Sequence, residues 1–323
     1  MKKDRTGKTD AGRASRRALQ PTKGELSTVI DELCMIKNGP SSSRRTNPCG
    51  QPLPSREALI EMVEELRAIF FPGYHGMSEL SEENIYFHLG FFLDKVLATM
   101  QEQVLRGLCF VCEDISCAAS CREKALSHTK AFLKRLPEIK RILDTDISAA
   151  FEGDPAATSP DEAIFCYPGV FAITNYRIAH ELYLLGVPLI PRIITEHAHS
   201  ITGIDIHPGA KIGKNFFIDH GTGVVIGETC IIGDKVRIYQ GVTLGAKSFP
   251  LDKEGKPIKG IPRHPIVEDD VIIYSGTTIL GRVTIGQGSV INGNVWLTRS
   301  VPPLSRISQA QSRQEDFEDG GGI

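Results

Sequence analysis

The chain has 323 residues, a formal net charge of −2 at pH 7 and 41% hydrophobic residues. A chain of this length suits about two domains, and its near-neutral charge argues against a nucleic-acid partner. No apolar run approaches the ~20 residues that cross a bilayer, and no secretory leader is recognisable. We therefore expect a cytoplasmic protein without membrane contact.

Residues 1–53 are predicted to be a basic, disordered tail and linker. The first 23 residues carry eight Lys or Arg and two acids among few apolar side chains, which is typical of a solvated segment. One weak helix is predicted near 25–37. Residues 38–54 are rich in Gly, Pro and Ser, as linkers commonly are.

Residues 54–190 are predicted to form an α-helical domain. Apolar side chains recur at helical spacing over 59–70 and 85–100. Two further helices are predicted on either side of Pro137, because proline breaks a helix, and the second of them ends at Gly153.

A helix-start signal at Ser159-Pro160-Asp161-Glu162 opens the last part of this domain. A further helix is predicted from about 169 to 185. It ends before Pro188 and Pro191, which are predicted to lead the chain directly into the next domain.

Four of the eight cysteines follow one another in the spacing C-x2-C-x4-C-x3-C: Cys109, Cys112, Cys117 and Cys121. Such a run can hold zinc or an iron–sulfur cluster, or it can be a set of reduced thiols on one helix. At about 100° per residue, four cysteines at this spacing spread over about half of a helix circumference. They cannot all reach one ion unless the helix breaks, so no metal is predicted.

A six-residue repeat extends from Ile206 to Pro302. Each of its thirteen turns opens with Ile, Val or Leu, and the fifth position is small or β-branched except where Phe216 and Glu228 stand. We place a two-residue slip after the fourth turn and a longer interruption after the seventh. The opening residues are Ile206, Ile212, Ile218, Val224, Ile232, Ile238, Leu244, Val267, Ile273, Ile279, Ile285, Ile291 and Leu297.

This period matches neither the 3.6 residues of a helical turn nor the alternation of a simple strand. It fits a solenoid in which three hexads make one triangular coil and the leading aliphatic side chains stack inside the prism. The alternative is a chance run of strand-forming residues in a β-sandwich. We predict an α+β chain in which the α-helical domain is followed by a parallel β-helix over residues 191–303.

Two segments beside the repeat are predicted to lie outside the prism. Residues 247–266 interrupt the repeat and are expected to leave a corner as a loop, and long loops on rigid scaffolds are usually functional. Residues 304–323 are predicted to be a flexible tail, which ends in three glycines and Ile323.

Polar residues at five places in this chain could carry chemistry. Asp219 and His220 stand inside a hexad, although a strand directed at a prism core needs neither. Asp205 precedes His220 by 15 residues, so the solenoid could bring its carboxylate beside the imidazole. The remaining places are Arg263-His264, where the loop rejoins the prism, Asp154 before a proline, and the carboxyl-terminal Ile323.

These groups suit a small zwitterion. A guanidinium can grip a carboxylate with two parallel hydrogen bonds, and a carboxylate can hold an ammonium group. A histidine backed by a carboxylate can take a proton from a hydroxyl, which is typically worth ~10²–10⁴ in rate. The other histidines of this region are interpreted as surface or core side chains: His180, His197, His199 and His207.

Residues 205–213, 218–229 and 263–265 are similar to the serine O-acetyltransferase family of hexapeptide-repeat acyltransferases. So are 176–180, which read Tyr-Arg-Ile-Ala-His, and 317–323 at the terminus. The resemblance covers about residues 154–301 and the tail. It implies that the prism is a left-handed parallel β-helix, and the loop resembles an extended-loop variant of the family.

The resemblance implies transfer of acetyl from acetyl-CoA to the L-serine hydroxyl, giving O-acetyl-L-serine and CoA in cysteine biosynthesis. By position, His220 looks like the general base and Asp205 like the residue that orients it. Asp154 and Asp219 would bind the serine ammonium, and Arg263 would bind its carboxylate.

The same resemblance implies where the co-substrate lies. His264 would sit near the serine hydroxyl and the thioester. The CoA arm would run along the prism face between neighbouring subunits, near Gly245, Ala246, Ser275 and Gly276. No metal is expected in this chemistry.

Three kinds of partner are implied by the resemblance. L-cysteine would inhibit by occupying the serine site, and Ile323 would enter the active site of O-acetylserine sulfhydrylase. A homotrimer is expected through the prism. In the family the helical domain joins two trimers into a hexamer, and the choice between trimer and hexamer is left open because residues before Asp154 match that domain poorly.

Three alternatives accompany this reading. An acetyltransferase acting on a sugar or another small alcohol would keep one catalytic histidine but would not need Arg263 with two aspartates. A prism-type zinc carbonic anhydrase would need three histidine ligands across a subunit interface, for which His197, His199 and His220 could be proposed. A scaffold that only docks the sulfhydrylase through its tail would need none of the catalytic groups.

Overall fold

The structure, a computed structural model, describes residues 23–36, 49–76, 80–81, 83–112 and 118–309. The chain divides into two compact units, residues 1–45 and 46–323. Of the first unit, the structure describes helix α1 (Lys23–Met35), at the place where the sequence predicts a helix. The elements that follow all belong to the second unit.

Helices form the first part of the second unit. Helix α2 begins after Ser55, whose hydroxyl accepts a hydrogen bond from the Ala58 N–H at 3.1 Å, and α5 begins after Ser159 in the same way. The buried apolar faces of the helices form one core with the strands that follow. In the described ranges, no helix is long and apolar enough to cross a membrane. The bounds are α2 (Arg56–Phe70), α3 (Ile85–Val111), α4 (Ala118–Gly153), α5 (Pro160–Cys166), α6 (Pro168–Leu184) and α7 (Ile190–Thr202).

Helix α4 is continuous through Pro137, where the sequence analysis predicted two helices. Proline removes one backbone hydrogen bond and crowds the preceding turn. The residues on both sides of it, Phe132 and Leu136 before and Ile139 and Leu143 after, are buried in the same core. Packing of one continuous apolar face therefore outweighs the local cost of the proline.

Helix α7 was not predicted, because Pro188 and Pro191 were expected to lead straight into the prism. Pro191 instead occupies the first turn of the helix, where its missing N–H is tolerated. Ile194 and Ala198 continue the buried face of α7, and the helix ends at Gly203, whose φ is 70°.

The strands form a three-sided prism of parallel sheets. Sheet I has the order β1-β4-β7-β10-β13, sheet II β11-β8-β5-β2 and sheet III β14-β12-β9-β6-β3. Successive strands along the chain pass from sheet I to II to III, so three strands make one coil. The bounds are β1 (Asp205–Ile206), β2 (Lys211–Ile212), β3 (Phe217–Ile218), β4 (Val225–Ile226), β5 (Ile231–Ile232), β6 (Arg237–Ile238), β7 (Thr243–Gly245), β8 (Ile266–Val267), β9 (Ile272–Ile273), β10 (Thr278–Leu280), β11 (Thr284–Ile285), β12 (Val290–Ile291), β13 (Trp296–Leu297) and β14 (Arg306–Ile307).

The predicted repeat is confirmed in its period but was wrong at one position. Ile206 pairs with Ile226 in the next coil, not with Val224. The two-residue slip therefore lies between β3 and β4, before Val224 and not after it. In this register Cys230, which is fully buried, takes the fifth position that the sequence analysis had assigned to the charged Glu228.

The Tyr-Arg-Ile-Ala-His segment of α6 fastens the helices to the first coil of the prism. The Tyr176 hydroxyl donates to the Ala210 carbonyl at 2.6 Å, and His180 Nδ1 donates to the Pro208 carbonyl at 2.7 Å. Arg177 donates to the carbonyls of the first coil as well. These hydrogen bonds give the residues of this segment a structural role, because they join α6 to the first coil.

The Arg177 guanidinium also forms a buried ion pair with Asp146 of α4, with two N···O distances of 3.1 Å. The Asp146 carboxylate accepts a further hydrogen bond from the Phe216 N–H at 2.9 Å. Burial raises the pKa of Asp146 to about 6, against the opposing effect of Arg177 and of the Phe216 N–H. The carboxylate is therefore ionised at pH 7 and joins α4, α6 and the prism.

Candidate active site

Two helix ends pack directly on β3 and position the first group of polar residues. A Cβ on Gly153, at the end of α4, would come within 2.5 Å of an aromatic ring of β3. A Cβ on Gly169, in the first turn of α6, would overlap with a backbone carbonyl of the same strand. Glycine at both positions permits this close approach, which brings Asp154 and Tyr167 beside the corner after β3.

Asp154 and Tyr167 share a cavity of about 370 Å³ with Asp219 and His220. The Tyr167 hydroxyl donates to Asp154 Oδ2 at 2.6 Å, and the Ala156 N–H donates to Oδ1 at 2.8 Å. These hydrogen bonds hold the pKa of Asp154 below its usual value, and the same contact raises the pKa of Tyr167. The cavity therefore contains an ionised carboxylate that suits an ammonium group.

His220 lies at this cavity with its backbone in the left-handed region, at a φ of 56°. Its Nδ1 atom is 3.6 Å from Asp219 Oδ1. The imidazole is 70% exposed, whereas the Asp219 side chain is only 17% exposed. A largely buried carboxylate thus faces one ring nitrogen and leaves Nε2 for proton transfer.

The segment that carries Asp205 lies alongside the corner that carries His220. The Gly223 N–H donates to the Gly203 carbonyl at 2.9 Å, which joins the two segments through their backbones. Asp205 itself pairs with Val225 in the next coil, so it lies near the end of this corner, and its predicted place directly beside His220 stays a prediction.

The Asp205 carboxylate has other close neighbours. It lies within 4.8 Å of ligand atoms of both Glu196 and His199. All these residues are described, and neither a hydrogen bond nor an ion pair joins Asp205 to His220. Burial raises the pKa of Asp205, and the nearby His199 lowers it in part. In the single chain, the carboxylate within ion-pair distance of the imidazole is Asp219.

The second group of polar residues lies on a different boundary of the prism. Residues 219–223 form the boundary between sheets III and I, which we call the His220 edge. Arg263 and His264 lie on the boundary between sheets I and II, which we call the Arg263 edge. Because these are two separate corners of one triangular prism, the single chain does not bring Arg263 into the cavity of His220.

Arg263 has its own cavity on its edge, of about 520 Å³. Its Nη2 donates to Glu228 Oε2 at 2.6 Å, and Nη1 donates to the Ile261 carbonyl at 3.3 Å. A guanidinium has five N–H donors, so others remain for the carboxylate of a ligand. The 247–266 loop supplies most of the lining, which consists of Glu228, Phe249, Pro257, Ile258, Lys259, Gly260 and Arg263.

His264 is 7% exposed and has a defined tautomer. The Thr229 N–H donates to its Nδ1 at 3.1 Å, so the ring proton is assigned to Nε2. A Cβ on Gly227 would overlap with the ring, so glycine there is required for this packing. Burial lowers the pKa of His264 to about 4, with a further contribution from Arg263, and the ring is neutral at pH 7.

Acidification is expected to destabilise the protein through two histidines on the Arg263 edge. Burial lowers the pKa of His207, like that of His264, to about 4. Between pH 6.5 and 4 the unfolded chain therefore binds protons that the folded chain does not, and stability present above pH 6.5 is lost as the pH falls. The loss is expected to reach about 3 kcal/mol for the buried His264, at about 1.4 kcal/mol per pKa unit.

The thermal unfolding midpoint, measured by circular dichroism at pH 7 and at pH 4.5, tests this expectation. His264→Gln is the control, because it cannot take up the proton and should show a smaller drop between the two pH values. Equal drops in the wild type and in this variant would contradict the assignment.

The residues predicted to bind CoA are divided between the two edges. Gly245 ends β7 and, with Ala246, lies on the Arg263 edge, where the loop leaves the prism. Ser275 and Gly276 follow β9 on the His220 edge, and the φ of Gly276 is 68°. A ligand that touched all four would have to bridge the two edges.

The sequence analysis missed two residues of these cavities. Glu228, the partner of Arg263, had been noted as an exception to the repeat and as part of the segment 218–229, but not as a site residue. Tyr167 had carried no signal, since the residue before a helix-start proline is usually a simple boundary. Ile323, by contrast, was singled out and lies outside the described residues.

The three histidines of the zinc alternative lie in separate surroundings within the chain. His197 packs against the ring of Phe171, and His199 is 3.3 Å from a Glu196 carboxylate oxygen. His220 faces Asp219 on the exposed His220 edge. In the chain as described, the three imidazoles do not form one cluster of metal ligands.

Comparison with known sequences finds serine acetyltransferases as relatives of this chain. The chain is 55% identical over 302 residues to "Serine acetyltransferase, plasmid" of Synechococcus elongatus, and the match covers 92% of this chain and 95% of the relative. It is 50% identical over 162 residues to the serine acetyltransferase of Mycobacterium tuberculosis, a match that covers 50% of this chain and 67% of that one. A search against models of protein families found no match.

Solved structures agree with the sequences. Entamoeba histolytica serine acetyltransferase 1 in complex with L-cysteine superposes with a TM-score of 0.67 at 39% identity, over 80% of this chain and 88% of that one. Soybean serine acetyltransferase complexed with serine gives a TM-score of 0.50 at 27% identity, over 78% of this chain and 96% of that one.

The predicted fold class, a helical N-terminal region followed by a left-handed parallel β-helix, is confirmed by these neighbours. The relative from Synechococcus matches nearly its whole length, so the likeness extends over both the helices and the prism. The chain is an acyltransferase and belongs to the serine acetyltransferase family.

Proposed function

We propose that this chain transfers acetyl from acetyl-CoA to the hydroxyl of L-serine, giving O-acetyl-L-serine and CoA, with His220 as general base. The observation that carries the proposal is the cavity in which the carboxylates of Asp154 and Asp219 lie beside an exposed imidazole. The solved structures of one relative with serine and of another with L-cysteine support a small amino acid as the substrate.

The serine ammonium binds between Asp154 and Asp219. Tyr167 holds one oxygen of Asp154 in place and helps to keep the carboxylate ionised. The serine carboxylate binds the Arg263 guanidinium through N–H donors that Glu228 leaves unused. This arrangement fixes both charged ends of the substrate, so the hydroxyl is the group presented to the base.

The reaction is a direct attack. Nε2 of His220 takes the hydroxyl proton as the serine oxygen forms a bond with the thioester carbonyl carbon. When the tetrahedral intermediate collapses, the C–S bond breaks and the imidazolium returns the proton to the CoA sulfur. Asp219, 3.6 Å from Nδ1, stabilises the imidazolium, and Asp205 on the same edge orients the ring.

His264 contributes a hydrogen-bond donor. Its Nδ1 already accepts from Thr229, and its lowered pKa keeps the ring neutral. The Nε2–H is therefore the group left to donate to the oxygen of the tetrahedral intermediate. A donor fixed by packing in advance costs little reorganisation when the negative charge develops.

The complete site forms between subunits of a homotrimer. The His220 edge holds the ammonium site and the base, whereas the Arg263 edge holds the carboxylate site and His264. A three-fold axis parallel to the prism brings the His220 edge of one subunit against the Arg263 edge of the next. CoA lies along the same groove, near Gly245 and Ala246 of one subunit and Ser275 and Gly276 of the other.

Mixed trimers are expected to recover activity from two inactive variants. His220→Ala and Arg263→Ala each impair a different half of the site, so a hybrid interface can contain one intact site. Every trimer that contains both variants combines the two intact halves at one of its three interfaces, so hybrids purified through both tags should recover about a third of wild-type turnover.

The measurement is CoA release by co-expressed chains that carry two different purification tags. Mixing the two pure variants without subunit exchange is the control and should stay inactive. If the hybrid trimers are no more active than either single variant, His220 and Arg263 do not form a site between two subunits, and the proposal of a shared site is contradicted.

The acceptor is tested by a thiol-release assay with acetyl-CoA. L-serine, L-homoserine and a galactoside are compared as acceptors. Only the two amino acids have an ammonium group for Asp154 and Asp219 and a carboxylate for Arg263. We expect L-serine to give the highest kcat/KM. Preference for the galactoside would favour the sugar acetyltransferase and contradict the proposal.

L-cysteine is expected to inhibit by competing with serine, because it differs only in a thiol at the place of the hydroxyl. The C-terminal Ile323 binds O-acetylserine sulfhydrylase. A free carboxylate and one apolar side chain on a glycine tether form a short anchor for the active site of that enzyme.

Deletion of Ile323 is expected to abolish binding to the sulfhydrylase and to leave acetyl transfer unchanged. The glycines contribute reach but little contact, so the affinity depends on the terminal residue. Binding is measured by surface plasmon resonance, with Gln311→Ala as a control in the same tail. Undiminished binding after the deletion would remove Ile323 from the interface.

A further inference from the structure

Three cysteine sulfurs meet in the helical part of the chain, away from the residues of the active site. The Sγ atoms of Cys49, Cys109 and Cys121 all lie within 4.8 Å of one another. Cys109 and Cys121 are buried, and Cys49 is half-buried. The three residues come from separate segments: the chain before α2, the last turn of α3 and the first turn of α4.

The sequence analysis did not predict a metal because four cysteines on one unbroken helix could not reach one ion, but Cys109 and Cys121 lie on two helices. Helix α3 ends at Val111, and Cys112 follows it with extended backbone at φ −78° and ψ 131°. Helix α4 begins only at Ala118. The break lets Cys121 return towards Cys109 from a second helix.

Cys49 joins the cluster from a segment that the sequence analysis took for a linker. Just after it, the Ser55 N–H donates to Gln103 Oε1 of α3 at 2.8 Å. The Arg106 guanidinium, also on α3, donates to the Leu53 carbonyl at 3.4 Å. These contacts anchor the segment to α3 and make the approach of Cys49 part of the fold.

The geometry is close to that of a thiolate-bound zinc ion. Zn–S bonds are about 2.3 Å long, so tetrahedral coordination separates the sulfurs by about 3.8 Å. Sulfurs within 4.8 Å need only small side-chain movements to reach that spacing. A disulfide would join only two of the three sulfurs and would leave a buried third.

We propose that Cys49, Cys109 and Cys121 bind one structural Zn²⁺. On binding, the three thiols lose their protons to solvent and form three Zn–S bonds. The fourth position falls to Cys112, which stands in C-x2-C spacing after Cys109, or to a water molecule. The ion joins the segment before α2 to the ends of α3 and α4, so its binding free energy stabilises the folded helical part.

The test measures zinc in the full-length chain. The protein is expressed without a metal-binding tag and purified under reducing conditions, and its zinc content is measured by mass spectrometry. We expect about one zinc per wild-type chain and at least a tenfold loss in Cys109→Ser and Cys121→Ser. The control, Cys34→Ser, changes an exposed cysteine of α1 and should retain the metal.

Two further measurements keep the test informative if the buried variants fold poorly. Cys49→Ser changes only a half-buried side chain and should remain folded by circular dichroism, yet lose zinc. In the wild type, Co²⁺ in place of zinc should give the intense thiolate-to-metal charge-transfer absorption, and this band should weaken in Cys49→Ser.

The proposal also predicts that a chelator lowers the melting temperature of the wild type but not that of Cys49→Ser. It is overturned if the reduced wild type binds no zinc, if folded Cys49→Ser retains a full equivalent, or if iron is found in its place. Isolation of a disulfide within the trio under the same reducing conditions would also overturn it.

Discussion

Replacing His220 by alanine is expected to lower kcat by about 10²- to 10⁴-fold, the usual contribution of a general base. The imidazole is exposed on the His220 edge and packs little, so its loss should leave the fold and CoA binding intact. Turnover is measured by CoA release at saturating serine, and CoA binding by calorimetry. Near-normal turnover would refute the role of His220 as base.

Matched variants separate the base from its neighbours. His128→Ala removes a half-buried histidine of α4 outside both cavities and should leave kcat unchanged. Asp219→Asn should raise KM for serine and lower kcat, because Asp219 serves both the ammonium and the imidazole. Asp205→Asn should lower kcat alone, because the role assigned to Asp205 is orientation of the ring. A change of KM alone would contradict that role.

Replacing Arg177 by methionine is expected to cost about 3–5 kcal/mol of unfolding free energy, because Asp146 would be left as an uncompensated buried charge. Arg177 and Asp146 side chains are 7% and 1% exposed, so water cannot replace the lost partner. Urea unfolding at pH 7 gives the free energy. Near-wild-type stability would contradict the conclusion that the Arg177–Asp146 ion pair holds α4, α6 and the prism together.

Arg135→Met is the matched control. Arg135 and Glu181 also join α4 to α6, but the Arg135 side chain is 47% exposed, so its loss should cost less than about 1 kcal/mol. The double variant Asp146→Leu with Arg177→Met removes both buried charges. It should recover part of the lost stability, because replacement of a buried ion pair by apolar groups is often nearly neutral.

The fold was predictable because its main signal is local and periodic. Each strand contributes an aliphatic residue that stacks on the strand of the next coil, as Ile206 does on Ile226. The slip was misplaced because Val224 is itself aliphatic and fully buried, so periodicity alone could not separate it from Ile226. Glu228, the one charged residue at a fifth position, marked that error.

The helices were less predictable because tertiary packing outweighed local signals. Pro137 lies within α4 and Pro191 starts α7, although both residues were taken as boundaries. Of the candidate site, the residue types of the cavity were predicted, but Tyr167 was missed because its contact with Asp154 depends on how two helix ends meet. The separation of Arg263 from His220 follows from the triangular cross-section, which the spacing along the chain does not reveal.

The corner between β3 and β4 has a consequence for recognising active members among similar prisms. Eight residues separate Ile218 from its successor Ile226, whereas six separate the equivalent pair Ile238 and Leu244 one coil later. The surplus pair makes the chain protrude at His220. A homologue with six residues between these two stacked positions would keep its stacked interior and its solubility. Its chain would not project from the prism at this corner. Because the proposed base stands on this corner, we expect the length of the corner to indicate catalytic competence better than the stacked interior does.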